Sequence, residues 1–293
     1  MEATKKYELS NITIEFNGVT LHRIKALKDF SNVKAGDLGG WVEKEDNLSQ
    51  IDDAWIDENA KVYGNAQICG NVIVFDDAII YDNAEVYGNA HICGKAQVFG
   101  NAQICGNVIV FDDAIIYDNA KVYGNAHICN NAKVYDNAFV YGDVWVYGNA
   151  KVFGNAKVDG NAEVYGNAII YDNAEVYGNA QICGKAQVFG NARIYDNAEI
   201  YGKSMVYGDA QVYGRARING DASVRCGADY IIFKNFWSSG RFFTWTRSNN
   251  MWSVGCFYGT GEELIRKAYK DSEKSGKEYE KIVRYVDSIL ADK

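Results

Sequence analysis

The sequence contains no proline, where average usage would supply about fifteen in a chain of 293 residues. Proline has no N–H to donate and survives in sheets only at edges and bulges, so its absence fits a backbone held almost wholly in interior ladders. Collagen-like, proline-rich and disordered chains are excluded by the same count. There is no run of about twenty apolar residues, hence no membrane-spanning helix is expected. The opening residues, Met-Glu-Ala-Thr-Lys-Lys-Tyr-Glu, lack the apolar stretch of a secretory signal, and the expected location is cytoplasmic. Seven cysteines without CxxC spacing fit free thiols in a reducing compartment. A net charge of −8 gives no footprint for a phosphate backbone, so nucleic acid is not an expected partner.

What fills the chain instead is a repeat. Every sixth residue from Ala54 to Ala222 gives 29 positions, of which 25 are Ala and the others Val72, Val108, Val144 and Ser204. Two residues after each, from Ile56 to Val224, all 29 positions are Val or Ile. The unit is Ala60-Lys61-Val62-Tyr63-Gly64-Asn65, in which strand alternation sends Ala60 and Val62 to one face and Lys61 and Tyr63 to the other. Of the 28 turns between units, 19 begin with Gly and 7 with Asp, and 19 have Asn second. These residues tolerate left-handed backbone angles and mark a corner every six residues. Residues 64–93 recur at 100–129, and 78–103 at 168–193, offsets of 36 and 90 whose largest common factor is 18. Three units therefore close one coil, and stacked coils pair as parallel strands about 4.8 Å apart.

An aliphatic residue followed four positions later by a small one resembles the hexapeptide-repeat left-handed β-helix. The resemblance, and nothing in the spacing, implies the left hand. The expected fold is thus an all-β repeat, a three-sided left-handed parallel β-helix of about ten coils over residues 48–228. An N-terminal β cap (1–47) precedes it and a C-terminal α+β module (229–293) follows. The cap reads as strands Glu8–Phe16 and Leu21–Leu27, with Trp41 and Leu48 expected to cover the first coil. Leu21-His-Arg-Ile-Lys-Ala-Leu-Lys-Asp-Phe30, Gly36-Asp-Leu-Gly-Gly-Trp-Val-Glu43 and Asn47-Leu-Ser49 look like the N-terminal cap of the YdcK-like hexapeptide-repeat proteins of bacteria and phages. That resemblance covers residues 7 to about 228 and implies a fold without implying an activity. The C-terminal module reads as strands Tyr230–Trp237, Phe242–Thr246 and Trp252–Phe257, with turns at Ser-Ser-Gly (238–240) and Ser-Asn-Asn (248–250). A capping box at Thr260-Gly-Glu-Glu263 opens a first helix, and a second runs from Lys277 to Leu290. Gly255-Cys-Phe-Tyr-Gly-Thr-Gly-Glu-Glu263 resembles a module of uncharacterised phage proteins, which implies a phage or prophage origin.

No chemistry is written plainly in the repeat. Acyl transfer needs a positioned base, and many hexapeptide β-helix proteins are acyltransferases, so transfer from an acyl-CoA is the alternative expectation. Only His22, His91 and His127 are available, the last two being copies of one another. Their spacing does not suit one zinc ion, and neither a metal nor a cofactor is expected. One face, however, carries Tyr63, Tyr81, Phe99, Tyr117, Tyr135, Phe153, Tyr171, Phe189 and Tyr207 without interruption, with Ile79, Ile115, Ile169 and Met205 in its other outward column. Such stacks stabilise a sheet, and they also make an apolar side suited to a homo-oligomer, with a trimer implied by the fold resemblance. In the C-terminal module Trp237, Trp245 and Trp252 stand with Arg241 and Arg247, a combination able to stack on a nucleotide. The expected function is a non-catalytic binding or scaffold protein that assembles through the aromatic face. Its partner would be a host protein or a small nucleotide, a counter-defence role in a phage.

Overall fold

A computed structural model describes residues 5–237 and 240–291. The repeat folds as expected into a three-sided parallel β-solenoid of about ten turns, whose sides are sheets of 13, 10 and 9 strands. Each strand pairs with the one 18 residues on, as Lys61–Val62 does with Ile79–Ile80. The N–H of Lys61 donates to the carbonyl of Ala78 at 2.9 Å and that of Tyr63 to Ile80 at 3.1 Å, a pattern repeated up the rod. Coil interiors are filled by the Ala and Val/Ile columns, all but fully buried. Ser204, in the small column, is buried because its hydroxyl donates to the carbonyl of Tyr201 at 2.8 Å.

The corners explain the turn composition. Gly106 has φ +101°, and a Cβ there would lie 2.5 Å from the carbonyl oxygen of Gly124 on the next coil. Where Asp takes the corner, its carboxylate accepts the N–H of the corner above, as Asp76 does from Gly94 at 2.9 Å. The second corner position builds amide ladders in which each Asn Nδ2 donates to the Oδ1 of the residue 18 later. One runs without a break from Asn65 through Asn83, Asn101, Asn119, Asn137, Asn155, Asn173 and Asn191 to Asp209. Lys44 Nζ donates into its first oxygen at 2.9 Å, so a cation starts the chain of donors and a carboxylate ends it. A second ladder runs from Asn71 through Asn89, Asn107 and Asn125 to Asp143.

Both ends of the rod are closed by side chains. The N-terminal strands Tyr7–Phe16, Val19–Ala26 and Leu38–Val42 extend the aromatic side's sheet, the first two joined by an Asn17-Gly18 turn. Lys6 Nζ donates to the carbonyls of Asp52 and Ala54 at 2.8 Å, and Tyr7 OH, with a single proton to donate, lies 2.8 Å from the carbonyls of both Glu45 and Leu48. Leu48 joins the inner column, where it bridges to Ile68. Trp41 does not cover the coil's interior: it pairs with Lys61 in an outward column and lies under Arg23, while Tyr7, Ile24, Ala26 and Val42 join the buried core.

After Ser223–Val224 the chain makes a four-stranded antiparallel sheet, Tyr230–Lys234, Phe242–Thr246, Met251–Val254 and Phe257–Gly259. The sequence suggested three strands; the pair Met251–Val254 and Phe257–Gly259 is a hairpin turning at Gly255, whose φ is +59°. Ser238 and Ser239 of the expected turn lie outside the described residues. Helices α1 (Gly261–Asp271) and α2 (Glu273–Ala291) follow, α1 opened by the expected Thr260–Glu263 capping box. This module lends the last coil hydroxyl acceptors: the N–H of Arg217 donates to Thr244 Oγ1 at 2.9 Å and that of Ser223 to Ser248 Oγ at 2.6 Å. Tyr230 OH donates to the carbonyl of Gln211 at 2.8 Å.

Two predictions follow from these contacts. Gly106→Ala should cost about 2–4 kcal/mol through left-handed strain and backbone clash, whereas Gly214→Ala, with nothing within 4 Å of the new Cβ, should cost only about 1–2 kcal/mol; urea midpoints measure both. Burial holds the Lys6 ammonium down to about 8 from 10.5, against the opposing pull of Asp52. Between those values the folded chain has released a proton that the unfolded chain still holds, so Lys6 adds stability as pH rises through the window. Urea midpoints at pH 7, 8, 9 and 10 should show Lys6→Met losing that rise.

Candidate functional site

Alternation along each strand places the nine aromatic residues expected on one side in one column. From Tyr63 to Tyr207 their ring centroids lie 4.8–5.2 Å apart, with planes within 11° of parallel. Each ring is half-buried by its neighbours, and burial raises the pKa of Tyr81, Tyr117, Tyr135 and Tyr171 above the ordinary phenol value. Phe16 of the cap packs edge-on against Tyr63 at 6.0 Å, and Ser223 Oγ donates to Tyr207 OH at 3.3 Å, so both ends of the stack are covered. What remains at the surface is a strip of ring edges and hydroxyls, flanked by half-buried Ile79, Ile115 and Ile169 and exposed Met205.

The other two sides carry shorter stacks, Tyr147 with Tyr165 and Tyr177 through Tyr195 to Tyr213. His91 and His127 stand on one side with Ile109 paired between them, two coils apart. His127 lies against Trp145, centroids 4.1 Å apart, and desolvation holds its pKa below the usual 6.5. Burial, helped by Asp112, pushes the Cys129 thiol up to about 11, so it is protonated at neutral pH. Among the described residues no three His, Cys, Asp or Glu side chains converge as metal ligands would.

In the C-terminal module the structure separates residues that the sequence grouped as one binding surface. Trp245 and Trp252 are almost fully buried, packed with Phe243, Leu264, Ile265 and Val283, and Trp245 Nε1 donates to Asn250 Oδ1 at 2.8 Å. Helices α1 and α2 must cover their apolar faces, and these rings are what they cover, so neither presents a face to a base. Trp237 is half-buried, edge-on to Phe236 and Tyr279, and Arg247 is exposed in the turn that follows the strand Phe242–Thr246. Arg241 alone among these residues reaches the seam with the solenoid.

That seam holds two adjoining clefts that sequence reasoning missed. One, of about 400 Å³, is lined by Asn197, Glu199, Arg215, Arg217, Arg241 and Phe242 with Gly240 and Gly255. The other, about 340 Å³, shares Glu199, Arg217 and Gly255 and adds Tyr165, Cys183, Tyr201 and Tyr258 among others. Arg217 divides them: Nη2 donates to Glu199 at 2.8 Å and Nη1 to the carbonyl of Gly255. Bonding to Glu199 raises the guanidinium's pKa further and fixes its position. A signal was present in the sequence, because Arg215 is the single arginine among the 28 second corner residues.

A family described as YdcK Beta solenoid repeat matches residues 66–80, 102–117, 132–148, 186–202 and 210–225. Among similar proteins is the "Uncharacterized acetyltransferase YdcK" of Escherichia coli (strain K12), 40% identical over 76 residues. The matched segment is 23% of this chain and 23% of that protein, so the chain spans less than a quarter of the length of the curated relative it matches.

Replacing Arg217 by Met should loosen the module from the rod. Loss of both its contacts should cost about 1–3 kcal/mol, read as faster hydrogen exchange across 242–257 with the solenoid amides unchanged.

Proposed function

We propose that this chain, a YdcK-like hexapeptide-repeat protein, is a non-catalytic scaffold and binding protein that assembles with copies of itself through the aromatic side. The observation that carries the reading is the unbroken nine-ring stack on a flat side, alone among the three in having no interruption. Ring edges with hydroxyls form an amphipathic strip of the kind enriched at interfaces, roughly 38 Å long at about 4.8 Å per coil. Three such sides packed around an axis form a closed trimer, the assembly that the fold resemblance implies.

The second expectation, transfer from an acyl-CoA, draws on the name of the Escherichia coli relative, which describes that protein. The histidines give it little support here, since His91 and His127 face outward two coils apart and His22 sits in the cap. The repeat-family match ends at residue 225, short of the Gly255–Glu263 motif on which the expectation of a phage origin and counter-defence role rests.

Light scattering of the purified chain at about 10 µM should give three times the 32.6 kDa chain mass. Tyr135→Lys, in the middle of the stack, should reduce it to one. A wild-type monomer at that concentration contradicts the assembly.

A further inference from the structure

We infer that a third cleft, between the end of the nine-stranded side and the C-terminal module, binds an uncharged adenine nucleoside with its base lying on the ring of Tyr213. Three rings stack on that side, Tyr177 with Tyr195 at 5.1 Å and Tyr195 with Tyr213 at 5.3 Å. Tyr195 covers one face of Tyr213, and among the described residues no ring pairs with the other. The residue 18 further on is Ile231, in the first strand of the module, so the next rung has no aromatic side chain. Of the rings stacked along the rod Tyr213 alone is exposed, at 47%. It stands in the wall of a cleft of about 600 Å³, within the range of small-molecule sites. A planar base is the ligand that continues such a stack.

The backbone beside that ring supplies the second observation. The three sides of the rod end on the strands Gln211–Val212, Arg217–Ile218 and Ser223–Val224. In two of them the module caps the leading N–H, that of Arg217 with Thr244 and that of Ser223 with Ser248. The equivalent N–H of Gln211 has no acceptor among the described residues, because the module reaches this strand through Tyr230, whose OH instead donates to the Gln211 carbonyl. An edge N–H of this kind takes its acceptor from outside the chain. The Gln211 side-chain amide also has no partner among the described residues, and it lines the same cleft. A glutamine amide matches the amino group and ring nitrogen of adenine. Ile231 and Ile232 add apolar wall, and Asp209 is the one charged residue among the described residues lining the space. No cation there offsets a phosphate, which favours the nucleoside over the nucleotide.

The inference rests on the binding half of the reading above and not on assembly through the aromatic side. Calorimetry of the full chain with adenosine, AMP and ribose tests it. Adenosine should bind with a Kd on the order of 100 µM, AMP more weakly and ribose not at all. Tyr213→Leu should weaken adenosine about tenfold, whereas Tyr213→Phe, which keeps the stack, should stay within about twofold of the parent. Gly227 lines the cleft with nothing within 4 Å of an added Cβ, so Gly227→Phe should block binding at an unchanged thermal midpoint, a second test should Tyr213→Leu not fold. No adenosine binding, ribose or AMP binding as tightly as adenosine, or binding that neither Tyr213→Leu nor Gly227→Phe weakens overturns the site. Light scattering on the same samples separates the two readings: a trimer that ignores adenosine leaves assembly standing, and a monomer that binds it leaves the site standing.

Discussion

Every outward feature of this molecule depends on one constraint: residue i lies directly beneath residue i+18. Backbone pairing imposes it, since the N–H groups of outward residues such as Lys61 and Tyr63 reach the carbonyl 17 residues on. Once it holds, like residues stack on like, and the outside of the rod becomes a set of columns. Aromatic rings meet face to face at about 5 Å, Asn amides chain donor to acceptor, and corner residues meet the next corner's backbone. At an offset of 12 or 24 the nine aromatic residues from Tyr63 to Tyr207 would no longer share one column, although the Ala and Val/Ile interior would be equally well filled. The interior therefore specifies a coil, and the exterior columns specify how many units close it.

The same constraint makes the ends the chemically demanding places. A stack of parallel strands has open edges that invite another chain, and here both are answered by side chains from non-repeating sequence. Lys6 and Tyr7 donate to carbonyls at one end, and Thr244 and Ser248 accept N–H groups at the other. Fitting a globular module onto a three-sided rod leaves space at the seam, and the clefts flanking Arg217 occupy it. The arginines there belong to the last full coil and the module, where the ladders run out of like partners.

The solenoid was legible because its signals are periodic and local. Tyr63, Val62 and Gly64 can be assigned to outer wall, interior and corner from six residues of context. The caps were less so, since their packing depends on contacts between residues far apart in sequence, as from Lys6 to Ala54 and from Arg217 to Gly255. Trp41 lies outside rather than over the first coil because the strand Leu38–Val42 enters in register with Lys61–Val62, which puts Val42 inward. Trp245 and Trp252 looked available to a ligand because sequence does not show which side of a small sheet two helices will cover. Arg215 was visible as the single arginine among the second corner residues, but its place in the wall of a cleft depends on where the C-terminal module docks.

The direct measurement is a comparison of two deletions by thermal unfolding. Removing residues 112–129 takes out one whole coil and leaves every column in register. Removing residues 112–117 takes out one unit, keeps the inward pattern and shifts all later columns by one side. The larger deletion should unfold within about 3 °C of the parent, as nearest-neighbour stacking predicts for one repeat fewer, and the smaller should unfold well below both. Equal midpoints for the two deletions would contradict the account, because the six-residue unit alone would then determine the structure.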